Sequence, residues 1–230
     1  MTAPNRSADA LSLSNDGVEK VEHVLTVAEL EEFAELAERQ RNGAPGSRLV
    51  GDETVRKLLS CGRTFDRLAT TRLGNNARAV RAVFFDKNAK TNWALGWHQD
   101  RTIVVREKID MPGFGPWTTK SGAIHVEPPF SYIEGMITLR AYLDPCRNDN
   151  GPLRVAAGSH RKGRIPTHAI PKIIAQSPEV TCLAEPGDVW ICATAIVHAS
   201  DASHSQARRR LLMVDYAAND LPSPLRWAGI

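Results

Sequence analysis

Hydrophobic and polar positions change period once along the chain. From Thr26 the apolar residues Val27, Leu30, Phe33, Ala34 and Ala37 recur at helical spacing. The "TVAE" that opens this run is a capping box, with Thr26 as N-cap and Glu29 reaching back to it. This helix is expected to stop near Gly43 and Pro45, and shorter helical stretches follow over 53–59 and 65–73. After "GNN" at 74–76 the period drops to two. Segments 77–86, 101–107, 135–144, 152–157, 188–198 and 209–217 then read as strands between Gly, Pro and Asn turns, with one short helix near 170–175. Strands without βαβ alternation predict a mainly β protein, an antiparallel sandwich or jelly roll behind an N-terminal helical annex. One domain over 1–230 is expected, made of a loose polar leader (1–20), the annex (21–77) and the β core (78–217).

Composition narrows the partners. The 29 basic and 26 acidic side chains leave a net charge of +3, and the basic ones are dispersed apart from "RRR" at 208–210. Neither nucleic acid nor a membrane surface is therefore an expected partner, and a small molecule is. No apolar stretch reaches bilayer length. Four cysteines form no C-x-x-C pair and no apolar leader precedes a cleavage-like site, so the expected compartment is the cytoplasm. The sequence assigns no oligomeric state.

Chemistry concentrates in "GWHQDRTIVV", residues 96–105. Side chains two apart on a strand share a face, so His98 and Asp100 can converge while Gln99 points away. His-x-Asp is a short pattern that needs a third ligand, and His198 supplies one at the end of "DVWICATAIVH". Two histidines and one carboxylate on one face of a metal form the facial triad of non-heme Fe(II) oxygenases. Its open positions suit 2-oxoglutarate and O2. The far carboxylate of 2-oxoglutarate then needs a cation, and a guanidinium can pair with it bidentately beside a hydroxyl. Arg209, eleven residues after His198 and opening the apolar run "LLMV", is chosen for that role, with Ser200 beside it. By alternation Arg208 and Arg210 point away. The competing view of "RRR" is a solvated basic patch or a phosphate clamp.

The stretches "WHQD" (97–100), "DNGPLRVAAGSH" (149–160), "EPGDVW" (185–190), "HAS" (198–200) and "RRRLLMVDY" (208–216) together resemble the phytanoyl-CoA dioxygenase family of Fe(II)/2-oxoglutarate oxygenases. The resemblance runs in order over about 78–217. It implies a cupin-like double-stranded β-helix, with His98, Asp100 and His198 on iron and Arg209 and Ser200 on 2-oxoglutarate. It also implies a dioxygenase that hydroxylates a small molecule and releases succinate and CO2. The family usually has a proline before Gly158, where this chain has Ala157; that touches a turn and no ligand. The family pattern further directs attention to Arg140, which shares a strand face with Thr138, Tyr142 and Asp144. Arg140 either neutralises a cofactor or substrate carboxylate or forms a salt bridge to Asp144 or another acid.

Other polar residues carry two readings each. The Gly/Pro-rich insertion after the His-x-Asp strand has the character of a site mouth. Its Trp117, His125 and Glu127 either touch substrate or pack the insertion against the barrel. Arg81, on a face with Val83 and Phe85, points into the barrel or out to solvent. His160 belongs to a structural turn, and the cysteines are small core residues. Rival functions on one scaffold are distinguishable. A halogenase leaves vacant the position Asp100 fills, and a nucleic-acid demethylase needs a basic, aromatic-bearing face. A non-catalytic metal- or small-molecule-binding jelly roll has no need of Arg209.

Overall fold

The computed structural model describes residues 11–40 and 46–230. In chain order its elements begin with α1 (Leu13–Asp16), β1 (Val18–Val21), α2 (Val27–Arg39), β2 (Gly46–Arg48), α3 (Glu53–Leu58) and α4 (Thr64–Leu73). The chain continues through β3 (Arg78–Lys87), β4 (Leu95–Gln99), β5 (Ile103–Val105), β6 (Trp117–Lys120), β7 (Ala123–Val126), α5 (Ser131–Glu134) and β8 (Met136–Tyr142). It closes with β9 (Leu153–Ala156), α6 (Ile170–Gln176), β10 (Glu179–Cys182), β11 (Val189–Ala193), β12 (Val197–Ser200) and β13 (Arg209–Ala217). These strands form a major sheet β1-β11-β8-β13-β3-β2, a minor sheet β10-β9-β12-β4 and a small sheet β5-β7-β6, with every pairing antiparallel. This is the double-stranded β-helix that the sequence predicts.

Alternation along the central strand β13 explains how the layers assemble. Leu212, Val214 and Tyr216 face the helices, where they join Phe33, Leu36, Val55, Leu58 and Phe65 in one buried cluster. Burying one such side chain contributes roughly 1.5–3 kcal/mol, so this face anchors the annex. The opposite face meets the minor sheet, and Leu211 and Met213 pack there with Val83, Tyr142, Leu153, Val155 and Trp190. The capping box forms as expected: Glu29 N donates to Thr26 Oγ1 at 3.2 Å and Thr26 N to Glu29 Oε2 at 2.9 Å. Glu29 also accepts from the Thr64 backbone and hydroxyl, so one carboxylate caps α2 and ties down α4.

Three expectations about elements change. The predicted leader is not loose over its described part, since β1 pairs with β11 and Lys20 reaches Asp188 at 2.9 Å. Its "VEKV" is too short to show a period, and pairing alone makes it a strand. The first third is not all helical, because β2 adds to the edge of the major sheet beside β3. The single strand expected over 188–198 is two strands in different sheets, β11 and β12, separated by a turn in which Ile196 N donates to Ala193 O at 3.0 Å. That turn is buried, so its residues stay apolar and hydropathy hides the break. The Gly/Pro-rich insertion contains a hairpin, β6 and β7, that extends β5. The helix end expected at Gly43 and Pro45 lies outside the described residues; α2 itself ends at Arg39.

Candidate active site

β4 and β12 lie side by side in the minor sheet with His98 directly opposite His198. Their ring centroids are 4.3 Å apart. Asp100 follows β4 immediately, its Oδ1 3.9 Å from His98 Nε2. One donor atom from each of the three residues fits within 4.8 Å of the others, close enough to share a metal ion. Both rings have Nδ1 committed to a carbonyl, His98 to Gly96 at 2.8 Å and His198 to Ile196 at 3.0 Å. Donation from Nδ1 leaves the Nε2 lone pairs free for a ligand. Burial drives the His198 pKa down to about 4, against the pull of Asp100, so its ring is neutral at physiological pH. Desolvation pushes Asp100 up, but His198, Arg81, His98 and Arg140 outweigh it and hold the carboxyl below its ordinary range.

Gln99 points the other way, as alternation requires. Its amide donates to Gly163 O at 3.0 Å and Ala195 O at 2.7 Å, and its oxygen accepts from Ile165 N at 3.0 Å. One buried side chain thus fastens the end of β4 to the turn that launches β12.

Beside the histidines lies a cleft lined by Phe85, Trp93, Leu95, Arg140, Leu153, His198, Ser200, Arg209 and Leu211. Its far end is basic. Arg209 is buried and sits opposite Lys87 across β13 and β3, on the inner face of the major sheet. Lys87 has 0% of its surface exposed, donates to Ser200 Oγ at 3.2 Å and to Asp201 O at 2.6 Å, and lies over the Trp93 ring. Burial, and after it the Arg209 charge, lowers the Lys87 pKa to about 8. Gly151, at φ +71°, is required here, because a Cβ would crowd the fixed Asp201 backbone oxygen and come within 2.6 Å of Lys87 Nζ. Arg209 Nε and Arg140 Nε are shielded from solvent and have no hydrogen-bond partner. Because both arginines line the cleft, these donors are available to an acceptor bound in it.

A family model described as phytanoyl-CoA dioxygenase (PhyH) matches residues 13–211. The chain belongs to the phytanoyl-CoA dioxygenase family. It is accordingly an enzyme of the Fe(II)/2-oxoglutarate-dependent class. No curated protein matches the chain. Several solved structures share the fold. EctD from S. alaskensis, with 2-oxoglutarate and 5-hydroxyectoine, is similar at 16% identity and a TM-score of 0.68, covering 99% of this chain and 81% of that one. The α-ketoglutarate-dependent epimerase SnoN from nogalamycin biosynthesis gives 19% and 0.65, covering 94% and 91%. AviO1 from Streptomyces viridochromogenes Tue57 gives 20% and 0.64, covering 96% and 99%. Among the described residues, no helix of this phytanoyl-CoA dioxygenase family member is long and apolar enough to cross a membrane.

The remaining residues singled out in the sequence divide. Arg140 has no salt bridge to Asp144, which Arg210 takes in a bidentate pair, and it lines the cleft instead. Arg208 pairs with Asp86 and points away from Arg209. Arg81 turns inward and faces Asp215 at 3.4 Å. His125 is buried on β7 within the electrostatic reach of Arg81 and Asp100. Trp117 follows the packing alternative, among Val126, Ile133 and the other apolar residues under the hairpin. Glu127 pairs with Arg164 at 2.5 Å. Trp93 lines the cleft and Lys87 contacts its lining residues Ser200 and Trp93; neither was singled out from the sequence. For Lys87 a signal existed, since it continues the alternate positions 81, 83 and 85 one step past the predicted strand end.

Proposed function

We propose that this protein is an Fe(II)/2-oxoglutarate-dependent dioxygenase that hydroxylates a small molecule, with His98, Asp100 and His198 holding the iron. The observation that supports this best is a three-residue donor group opening onto a cleft whose far end is two buried cations. The residues fit the groups: two imidazoles with Nε2 free, one carboxylate held ionised, and guanidinium nitrogens without acceptors. With O2, the bound iron and 2-oxoglutarate supply an oxidant able to attack an unactivated C–H bond, the cosubstrate leaving as succinate and CO2.

The protein's part is binding, orientation and exclusion of water. Arg209 and Lys87 neutralise the distal carboxylate, and Ser200, anchored to Gly151 O at 2.9 Å, offers its hydroxyl beside them. Arg140, between His198 and Arg209 on the cleft wall, balances the charge nearer the metal. Phe85, Trp93 and Leu95 keep the cleft wall apolar. Hydroxylation asks nothing more of the protein than a C–H bond held beside the metal, whereas the epimerisation ascribed to SnoN needs a second hydrogen donor. Four free cysteines support a cytoplasmic setting.

Titration of 2-oxoglutarate into the metal-loaded protein under anaerobic conditions tests the assignment. Arg209→Ala should weaken binding by roughly 1.5–3 kcal/mol, the value of a hydrogen bond to a charged group. Arg208→Ala, which breaks pairs with Asp86 and Glu38 away from the cleft, should leave affinity unchanged. Equal affinities in both variants, or the larger loss at Arg208, would overturn the cofactor-site assignment.

A further inference from the structure

The cations on the inner face of the major sheet exceed those that a metal and its cosubstrate use. Read across the sheet, Lys87 and Arg209 face each other at one end, Arg140 lies opposite Met213 in the middle, and Arg81 lies opposite Asp215 further on. Arg48 on β2 lies opposite Val83, whose side chain is in the inner core, so Arg48 shares that face. We propose that the substrate carries an oxyanion, a carboxylate or a phosphate, received by Arg48, Arg81 and His125 at the β2 edge of this face. The inference rests on the metal and cosubstrate sites assigned above.

Three observations carry it. Arg48 Nε, Arg81 Nε and His125 Nε2 are all shielded from solvent, and none has a hydrogen-bond partner. Buried donors left this way are unfavourable unless a ligand brings acceptors. Second, the acids available are too few. Asp215 stands 3.4 Å from Arg81 and gives its other oxygen to the Thr138 hydroxyl at 2.8 Å, while Arg48 has no carboxylate partner among the described residues. Asp100 belongs to the metal. Because an Fe(II) ion and a 2-oxoglutarate dianion cancel, loading the enzyme leaves this positive excess in place. Third, the cluster adjoins the reacting centre. Arg81 pairs with Asp215, whose hydrogen-bond partner Thr138 lines a small cavity with Asp100 and His198, and His125, only 2% exposed, lies within the electrostatic reach of Arg81 and Arg48. A neutral imidazole beside two guanidinium forks is a donor set that matches a planar carboxylate or a phosphate and rejects a cation. An anionic group held there sets a carbon a few bonds away beside the metal.

Calorimetric titration of protein loaded with Zn(II) and the unreactive analogue N-oxalylglycine tests this, using hexanoate, hexyl phosphate and the neutral hexanamide as probes. At least one oxyanion should bind tenfold or more tightly than hexanamide, and the tighter of the two distinguishes carboxylate from phosphate. Arg81→Gln and Arg48→Gln should each cut that preference at least fivefold. If the loss of Arg81 from beside Asp215 prevents folding, Arg48→Gln at the sheet edge carries the test. Equal binding of all three probes, or a preference that Arg48→Gln leaves untouched, overturns this inference while the cosubstrate site stands. Failure to bind N-oxalylglycine overturns the reading beneath it, and this inference with it.

Discussion

Lys87 is the residue whose charge can be switched within an accessible pH range. Its side chain is fully buried, and burial together with Arg209 brings its pKa to about 8, so it is cationic below that value and neutral above. An anion at the far end of the cleft needs the cationic form. Affinity for 2-oxoglutarate should therefore fall as pH rises through about 8, and Lys87→Arg, charged throughout, should flatten the profile. Binding titrations from pH 7 to 9 on both proteins check this; identical slopes would remove Lys87 from the cosubstrate site. At this scale the sequence was most legible where spacing carries chemistry. The two-residue period of a strand was legible in Gln99, which turns away from its neighbour His98, and in Arg209, which turns into the cleft between the outward Arg208 and Arg210. Arg48 was not legible, because a three-residue edge strand has no period to reveal which side its arginine faces.

Elements position these residues through contacts that hydropathy does not report. Gln99 is the clearest instance, a polar residue 5% exposed that holds three backbone groups from two other segments. Gln99→Leu keeps the volume but strands those groups, each costing roughly 1–3 kcal/mol. Urea unfolding of the metal-free protein should show a stability loss of at least ~2 kcal/mol, and metal affinity should weaken because β4 and the turn before β12 come apart. Unchanged stability would mean that Gln99 holds nothing. The helices α2 and α4 and the long strands β3, β8 and β13 were legible because each runs for two or more of its own periods. The minor-sheet elements were harder: β4 and β10 are four or five residues long, and the buried turn at 194–196 keeps the apolar character of its flanking strands.

At the scale of the whole molecule, one sheet serves two purposes. Its helix-facing side is apolar and gives the structure its rigidity, while its inner side exchanges apolar residues for arginines and lysine where ligands are to lie. The minor sheet supplies the two histidines, so the proposed reaction depends on two layers meeting at a fixed separation. The Met-poor, four-cysteine composition and modest net charge said nothing of this division; it arises from register. The central claim is that the donor group and the basic-ended cleft act together on 2-oxoglutarate. It is tested most directly by incubating the purified protein with Fe(II), ascorbate and 2-oxoglutarate under ¹⁸O2 for several hours, alongside Asp100→Ala. The account predicts succinate labelled with one ¹⁸O, formed above the level of the variant. Succinate no more abundant than in Asp100→Ala, or formed without label, would contradict it.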